Sequence, residues 1–507
     1  MKILAVDKIR EADLFTIQNE PITGIDLMER AASACFYWLI KHVPDHKKIS
    51  LFCGTGNNGG DGLAIARLMA SKGYITEVFL FGALEELSPG CRINFDRLQE
   101  SPLIKCNVIA GKGSLPDFHP DKDIIIDALF GSGISRPVTG FLARVIRHIN
   151  DQRSLTISID VPSGLFCDKT VAGSPDPAII HADHTLTFSP PKLAFFFPEN
   201  DRYVGNWHLL DIGILQEYIG QAGTHFHYIT SQDCKKILKK RNKFAHKGNF
   251  GHAYLICGSR GKMGAAILAA KACLRSGPGL VTVHIPRSGN TILQTAVPEA
   301  MLFFDAEEDI FSGIPDISAY SSIAVGPGIG QAEATRRALK NLIQNSKLPL
   351  IFDADAINIL GENKTWIPFV PKGSIFTPHP KEFERLVGKS SDDFERNNIQ
   401  REFSIKYGVY VVLKGAHTAI TTPDGNCYFN TTGNPGMATG GSGDVLTGIL
   451  AGIKAQGYSS LETCLLGVFL HGLAGDSAAG KRGQEALIAS DIIQNLGHAF
   501  LSLYGEF

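Results

Sequence analysis

Short apolar runs alternate with helical segments along most of this chain, and they do so in two separate stretches. In the first, "KISLFCG", "EVFLFGA", "DIIIDALFG", "LTISIDVPSG" and "HTLTFSPP" read as strands, with helical segments such as "GLAIARLMASKGY" between them. In the second, "HAYLICGS", "GLVTVHIP", "SSIAVGPGIG", "PLIFDADAINIL", "GSIFTPHP" and "YGVYVVLKGAHT" alternate with "GAAILAAKACLRSG", "DVLTGILAGIKAQG" and "ETCLLGVFLHGLAGDSAA". Strands that are apolar along their whole length belong to a parallel sheet covered by helices on both faces. The alternation fades after "WHLLDIGI" and resumes beyond a polar, basic passage from about 215 to 249. At 507 residues the chain exceeds one ordinary core, so two α/β domains, 1–218 and 225–507, are expected. The opening 45 residues read as two amphipathic helices.

A net charge of −1 gives no field to gather nucleic acid or an anionic membrane, and the basic run "KKILKKRNK" reads as a solvated helix end. The 10 cysteines include no CxxC pair, which argues against zinc ribbons, thioredoxin-type sites and a disulfide framework. The start, "MKILAVDKIREADLFTIQNE", lacks the apolar core of a secretory signal. No run approaches the roughly 18 apolar residues of a membrane span. A soluble, cytoplasmic protein with small-molecule partners is expected, with no nucleic acid and no membrane; a homo-oligomer is the expected assembly.

"GTGNNGGDG" (54–62) follows the first strand and precedes a helix. Gly54, Gly56 and Gly59 satisfy GxGxxG where backbone N–H groups and a helix N-terminus can hold a pyrophosphate. Glu77 lies before the next strand rather than at its end, which argues against a dehydrogenase. Asp127 and Asp160 each end a strand, followed by a Gly-rich loop with Arg136 and by Ser163. The carboxyl ends of parallel strands line one crevice, so Asn57, Asn58, Asp61, Asp127, Asp160 and Ser163 can converge. Their oxygens suit an alkali or alkaline-earth cation better than zinc.

In the second stretch no Walker sequence, GxSxG, HExxH or Ser-xx-Lys set is present. Instead "GPGIG" closes one strand, Asp353 and Asp355 end another, and His379 with Glu382 flank a helix start. Lys414, His417 and Thr418 follow a further strand, and "GGSGD" opens the helix "VLTGILAGIKAQG". Backbone N–H groups of Gly441, Ser442 and Gly443 at that helix start suit charge on a transferred phosphoryl group, with Asp444 as base or as helix cap.

"NNGGDG", "DALFGSGISRP", "IDVPSG" and "SPPKLAF" resemble the NAD(P)H-hydrate epimerase family across nearly the whole first half. The resemblance implies a Rossmann-like three-layer sandwich that interconverts the R and S forms of NADHX and NADPHX, the hydrated nicotinamide cofactors. It assigns hydrate binding to Asn57, Asn58, Gly59, Gly60 and Asp61, and to Gly131, Ser132, Gly133, Ile134, Ser135, Arg136 and Pro137. It assigns a potassium ion to Asn58, Asp127 and Ser163, and makes Asp160 both a contact to the hydrate and the candidate acid–base group. Epimerisation at C6 requires loss and return of the hydroxyl, or ring opening; the sequence leaves both paths open.

"HKGNFGHAYLICGS", "LRSGPGLVTV", "GPGIG", "TPHPKEFERL", "KGAHT" and "NPGMATGGSGDVLTGILAG" resemble the ADP-dependent NAD(P)H-hydrate dehydratase family over nearly all of 225–507. That family is similar to the ribokinase-like kinases. By the resemblance Asp444 is the general base, and Asp444, His379, Gly328 and Ala265 contact the hydrate. Lys414, Gly415, Ala416, His417, Thr418 and Gly443 hold the adenine nucleotide, ADP, with Mg²⁺ bridging phosphates and Glu382 reaching it through water. The residues themselves do not distinguish ADP from ATP. The alternative is a ribokinase-like vitamin-precursor kinase with a nucleotide-sensing N-terminal domain.

Overall fold

A computed structural model describes residues 1–111, 115, 116, 118, 123–170 and 177–505; 506 and 507, the end of the second expected domain, lie outside the described residues. The chain divides into two compact units, one of Lys2–Thr224 with Asp392–Phe394, the other of Met1, His225–Ser391 and Glu395–Phe507.

The first unit opens with helices α1 (Val6–Asn19) and α2 (Gly24–His42). Its sheet contains β1 (Lys48–Cys53), β2 (Thr76–Phe81), β3 (Ile104–Ile109), β4 (Asp123–Ala128), β5 (Leu155–Ile159), β6 (His184–Phe188) and β7 (Asn206–Leu210). They lie in the order β3-β2-β1-β4-β5-β6-β7, every neighbouring pair parallel. Because strand side chains alternate between faces, Ile124, Ile126 and Ala128 join one core and Ile125 the other. Helix α2, α3 (Asn57–Ser71) and α4 (Pro89–Gln99) cover the first face, and α5 (Gly140–Asp151) covers the second. The winding reverses between β1 and β4, so the loops leaving these two strands border one crevice.

The second unit contains β8 (Phe226–Tyr228), β9 (His252–Ile256), β10 (Leu280–Ile285), β11 (Met301–Phe304), β12 (Ser322–Val325), β13 (Leu350–Phe352), β14 (Ile375–Phe376), β15 (Tyr410–Leu413), β16 (Ala419–Thr421) and β17 (Cys427–Phe429). They run β8-β17-β16-β15-β14-β13-β12-β9-β10-β11. The pairs β15–β16 and β16–β17 are antiparallel, and the others are parallel. Here the reversal falls between β9 and β12. Ala253 and Leu255 pack with α6 (Met263–Arg275), and Tyr254 and Ile256 pack with α7 (Glu333–Asn345) and α8 (Ala354–Glu362). Helix α9 (Pro380–Val387) adds Phe383 and Leu386 to the latter face. Helix α10 (Ser442–Ala455) lies against α6 so closely that a Cβ on Gly448 would stand 2.1 Å from the Ala269 carbonyl oxygen. That backbone contact fixes the helix whose first turn carries Asp444.

Candidate active sites

In the first unit α3 begins at Asn57, so Asn57–Asp61 form its opening turn rather than a free loop. The N-cap is Gly56, which offers no side chain, and a Cβ on Gly59 would collide with the Gly54 carbonyl oxygen at 1.8 Å. The glycines therefore serve close approach of helix to strand end. Asn57 is exposed; Asn58 turns inward, 8% exposed, and neither its Oδ1 nor its Nδ2 has a hydrogen-bond partner. A buried amide left unsatisfied costs about 1–3 kcal/mol, so its retention argues for a ligand.

Asp127, fully buried at the end of β4, organises this crevice. Its Oδ1 accepts from the Leu129 N–H (3.2 Å) and the Ser163 Oγ–H (2.6 Å); its Oδ2 accepts from the Ser158 Oγ–H (2.8 Å) and the Ser163 N–H (2.9 Å). Burial raises its carboxyl above the ordinary range against the pull of those bonds. A Cβ on Gly131 would lie 3.3 Å from both Asn58 Cγ and Asp160 Oδ2, which puts these side chains on one small volume. The Ser132 N–H donates to Asp160 Oδ2 (3.2 Å), while Ser135, Arg136 and Pro137 are exposed.

Asp160 has φ +63°, a left-handed conformation that costs of order 1–3 kcal/mol in a non-glycine residue and clusters at functional sites. Its Oδ1 lies 2.5 Å from the Nζ of Lys192, which is 2% exposed and also donates to the Phe188 carbonyl (2.9 Å). Lys192 lies within "SPPKLAF", but a buried lysine gives no local sequence pattern that marks it. Burial, with Asp160 and Asp13 adding, pushes the Asp61 carboxyl well up. Gly54, Thr55, Phe81, Ile109, Phe130 and Phe141 line a cavity of about 240 Å³.

In the second unit β13 delivers Asp353, 1% exposed, whose successor Ala354 has φ +46°. Asp353 Oδ1 accepts from Lys414 Nζ (2.9 Å) and Oδ2 from the Thr447 Oγ1–H (2.7 Å). Lys414 also stands 4.0 Å from Glu382, and the neighbouring carboxylates raise its ammonium pKa against the opposing effect of burial. Its side chain is thus paired with the Asp353 and Glu382 carboxylates. Gly415 and Ala416 are exposed in a turn closed by Thr418 Oγ1, and His417 Nδ1 meets the Asn430 carbonyl oxygen (3.2 Å).

Asp444 is the third residue of α10, whose N-cap is Gly441 at φ +91°. Among the described residues its carboxyl has no hydrogen-bond or ion-pair partner, so it is not a cap. Burial pushes it up to about 6, Asp353 and Asp355 add to this and Lys414 opposes. The Ser442 N–H is turned back toward the Thr439 carbonyl (3.4 Å), which moves the expected cradle to the amides of Gly443 and Asp444. Those amides have no intrahelical acceptor. A Cβ on Gly443 would lie 3.3 Å from Lys414 Nζ, so the N-terminal turn of α10 and that ammonium lie side by side.

His379 caps α9: its Nδ1 accepts from the N–H groups of Lys381 (3.2 Å) and Glu382 (3.3 Å), and Glu382 Oε2 accepts the His379 N–H (2.8 Å). His379 Nε2 lies 3.5 Å from Glu382 Oε1, so the ring is held at both nitrogens. Gly328 and Ala265 are neighbours, with a Cβ on Gly328 3.2 Å from that of Ala265. Gly326, at φ +137°, brings the backbone onto Asp353, and an added Cβ would lie 1.8 Å from the Asp353 carbonyl oxygen. Gly326→Ala should therefore lower Tm by the equivalent of about 1–3 kcal/mol and reduce turnover, measurable by calorimetry and assay.

Fold and site together define a two-unit α/β enzyme, a Rossmann-like unit and a ribokinase-like unit with a half-buried, partnerless carboxyl in the first turn of a helix. Residues 253–497 match the family described as NAD(P)H-hydrate dehydratase, and 24–194 match that described as YjeF-related protein N-terminus. The bifunctional NAD(P)H-hydrate repair enzyme Nnr of Moorella thermoacetica is 33% identical over 525 residues, spanning 100% of this chain and 98% of its own. That of Thermofilum pendens is 34% identical over 520 residues, with 100% and 98% covered. The crystal structure of ADP/ATP-dependent NAD(P)H-hydrate dehydratase from Bacillus subtilis, co-crystallised with ATP/Mg²⁺, covers 55% of this chain and 98% of its own at 27% identity and a TM-score of 0.47. The chain belongs to the bifunctional NAD(P)H-hydrate repair enzyme family.

Proposed function

We propose that residues 1–218 interconvert the R and S forms of NADHX and NADPHX and that 225–507 dehydrate the S form to NADH or NADPH, converting ADP to AMP and phosphate. The observation that carries this reading is Asp444, partnerless and raised to about 6, at the rim of a helix start beside the Lys414–Asp353 pair. Asp444 takes the proton of the hydrate hydroxyl as its oxygen attacks the terminal phosphoryl group of ADP, and AMP departs. The amides of Gly443 and Asp444 and the Lys414 ammonium stabilise the charge that develops on the phosphoryl oxygens. The C6–O bond then breaks with phosphate as leaving group and electron push from the ring nitrogen. Loss of a proton from C5 restores the double bond. His379, Gly328 and Ala265 hold the hydrate, and the turn at 414–418 holds the nucleotide.

Mg²⁺ supplies charge neutralisation when it binds with the nucleotide phosphates. Glu382 fits an indirect role through water, because its oxygens already cap α9. A potassium ion fits Asn58, whose Oδ1 is buried without a partner. Ligation by Asp127 and Ser163 would open the 2.6 Å hydrogen bond between them. K⁺ should raise the Tm of the wild type more than Na⁺ does, and Asn58→Leu should abolish that difference and the K⁺ dependence of epimerisation. Because Leu removes an unsatisfied amide, the variant should fold.

Purified protein incubated with mixed R and S NADHX tests the whole reading. With ADP and K⁺, NADH absorbance should recover completely. Recovery that stops at the S fraction would remove the first activity, and a stable phosphorylated product without NADH would support the vitamin-kinase alternative. Among the described residues no helix is long and apolar enough to cross a membrane. A cytoplasmic homo-oligomer completes the proposal, to be checked by fractionation and light scattering.

A further inference from the structure

The N-terminal helix α1 lies outside the matched segment 24–194, yet it is tied to the loops that frame the first site. The Val6 N–H donates to Asp168 Oδ2 (2.9 Å), in the segment that follows Asp160 and Ser163. One turn later the Arg10 guanidinium donates to the Gly133 carbonyl (3.4 Å), in the predicted hydrate loop. Asp13 stands one further turn along. Ile9, Ala12 and Thr16 are the buried residues of α1, and Asp13, at i+4 from Ile9 and i−3 from Thr16, shares their face. Among the described residues its carboxyl has neither a hydrogen bond nor an ion pair, and the charges bearing on it are Asp160, Lys192 and, from α3, Asp61.

We propose that Asp13 is a second catalytic residue of epimerisation, the proton donor that works opposite the Lys192-paired Asp160. This rests on the epimerase reading of the first unit. Inverting C6 moves one proton on and one proton off by either path. If the hydroxyl leaves, the acid protonates it, the C–O bond breaks into water and a ring iminium, and water returns to the other face while a base takes its proton. If the ring opens, the base takes the hydroxyl proton as the C6–N1 bond breaks, and the acid protonates N1; ring closure reverses both transfers. Nothing is oxidised or reduced, and the proton count is unchanged.

Asp160, bound to the Lys192 ammonium at 2.5 Å, is suited to take a proton, and it leaves the giving role to a group without a cationic partner. Asp13 meets that requirement. Burial, with the nearby Asp160 carboxylate adding and Lys192 opposing, pushes its carboxyl up to about 6. A desolvated carboxyl with nothing to compensate it destabilises the fold, and such groups concentrate where chemistry uses them.

The test uses the full chain and R-NADHX, with conversion read by chiral separation of R and S forms. Asp13→Asn should lower kcat for epimerisation by about 10-fold or more with KM changed less than kcat. Wild-type activity should fall as pH rises through about 6, where Asp13 loses its proton, and this limb should vanish in Asp13→Asn. Asp13→Glu should recover part of the rate, and the Tm of Asp13→Asn should equal or exceed the wild-type value. A wild type that does not epimerise overturns the function itself. A wild type that epimerises beside an Asp13→Asn variant with unchanged rate and pH profile overturns only the role of Asp13. A variant that loses rate and Tm together while keeping the alkaline limb assigns Asp13 to structure and also overturns it.

Discussion

Asp444→Asn should lower dehydratase kcat by on the order of 10² or more, with the KM for the S hydrate nearly unchanged. The amide keeps the shape of the carboxylate but cannot accept a proton from the hydroxyl. In the wild type the base works only when ionised, so kcat should fall as pH drops through about 6; the variant should lose this dependence. Stability should move the other way. A carboxyl whose folded pKa lies above its unfolded value stabilises the protein at low pH and gives up that contribution as pH rises through the folded value. The Tm advantage of Asp444→Asn should accordingly appear above pH of about 6 and disappear in acid, by calorimetry across that window. Near-normal turnover in the variant would remove Asp444 from the chemistry.

Asp160→Asn should reduce epimerisation by about 10² to 10⁴ while S-hydrate dehydration continues at the wild-type rate. Asn tolerates φ +63° as Asp does, so the loop should hold its path. The variant leaves Lys192, 2% exposed, without its counter-charge, and removal of one partner from a buried pair costs about 3–5 kcal/mol. Its Tm should therefore drop. In the double variant Asp160→Asn/Lys192→Met the Tm should return toward wild type while epimerisation stays lost. Retained R-hydrate conversion in the single variant would move the acid–base role elsewhere.

What could be read from the residues beforehand was local. Apolar strands, glycine-rich strand ends and aspartates at those ends are each written within a few neighbours, and they yielded both sheets and most of the residues around the two crevices. The helical state of Asn57–Asp61 was harder to see, because two adjacent glycines and an N-cap without a side chain read as loop. Thr447 was missed although it sits one turn beyond Asp444, since its partner Asp353 is 94 residues away. Lys414, grouped in advance with the nucleotide contacts, turns its ammonium to Asp353, 61 residues distant. Asp13 offered still less, being one acidic position on an amphipathic helix. Each of these depends on which strand ends the topology sets side by side, and single-segment patterns do not encode that.

The two left-handed corners, Asp160 after β5 and Ala354 after β13, place a constraint on how this chain can diverge. At each, the backbone leaves a parallel strand through a left-handed dihedral angle, so substitution is filtered by permitted dihedral angles before it is filtered by chemistry. Glutamate would preserve the charge of Asp160 but lacks the short side chain that eases such a bend, and a β-branched residue at 354 would resist the corner. Neutral drift at these positions is confined by shape, and a comparison of side-chain classes alone would take that confinement for a demand of the reaction.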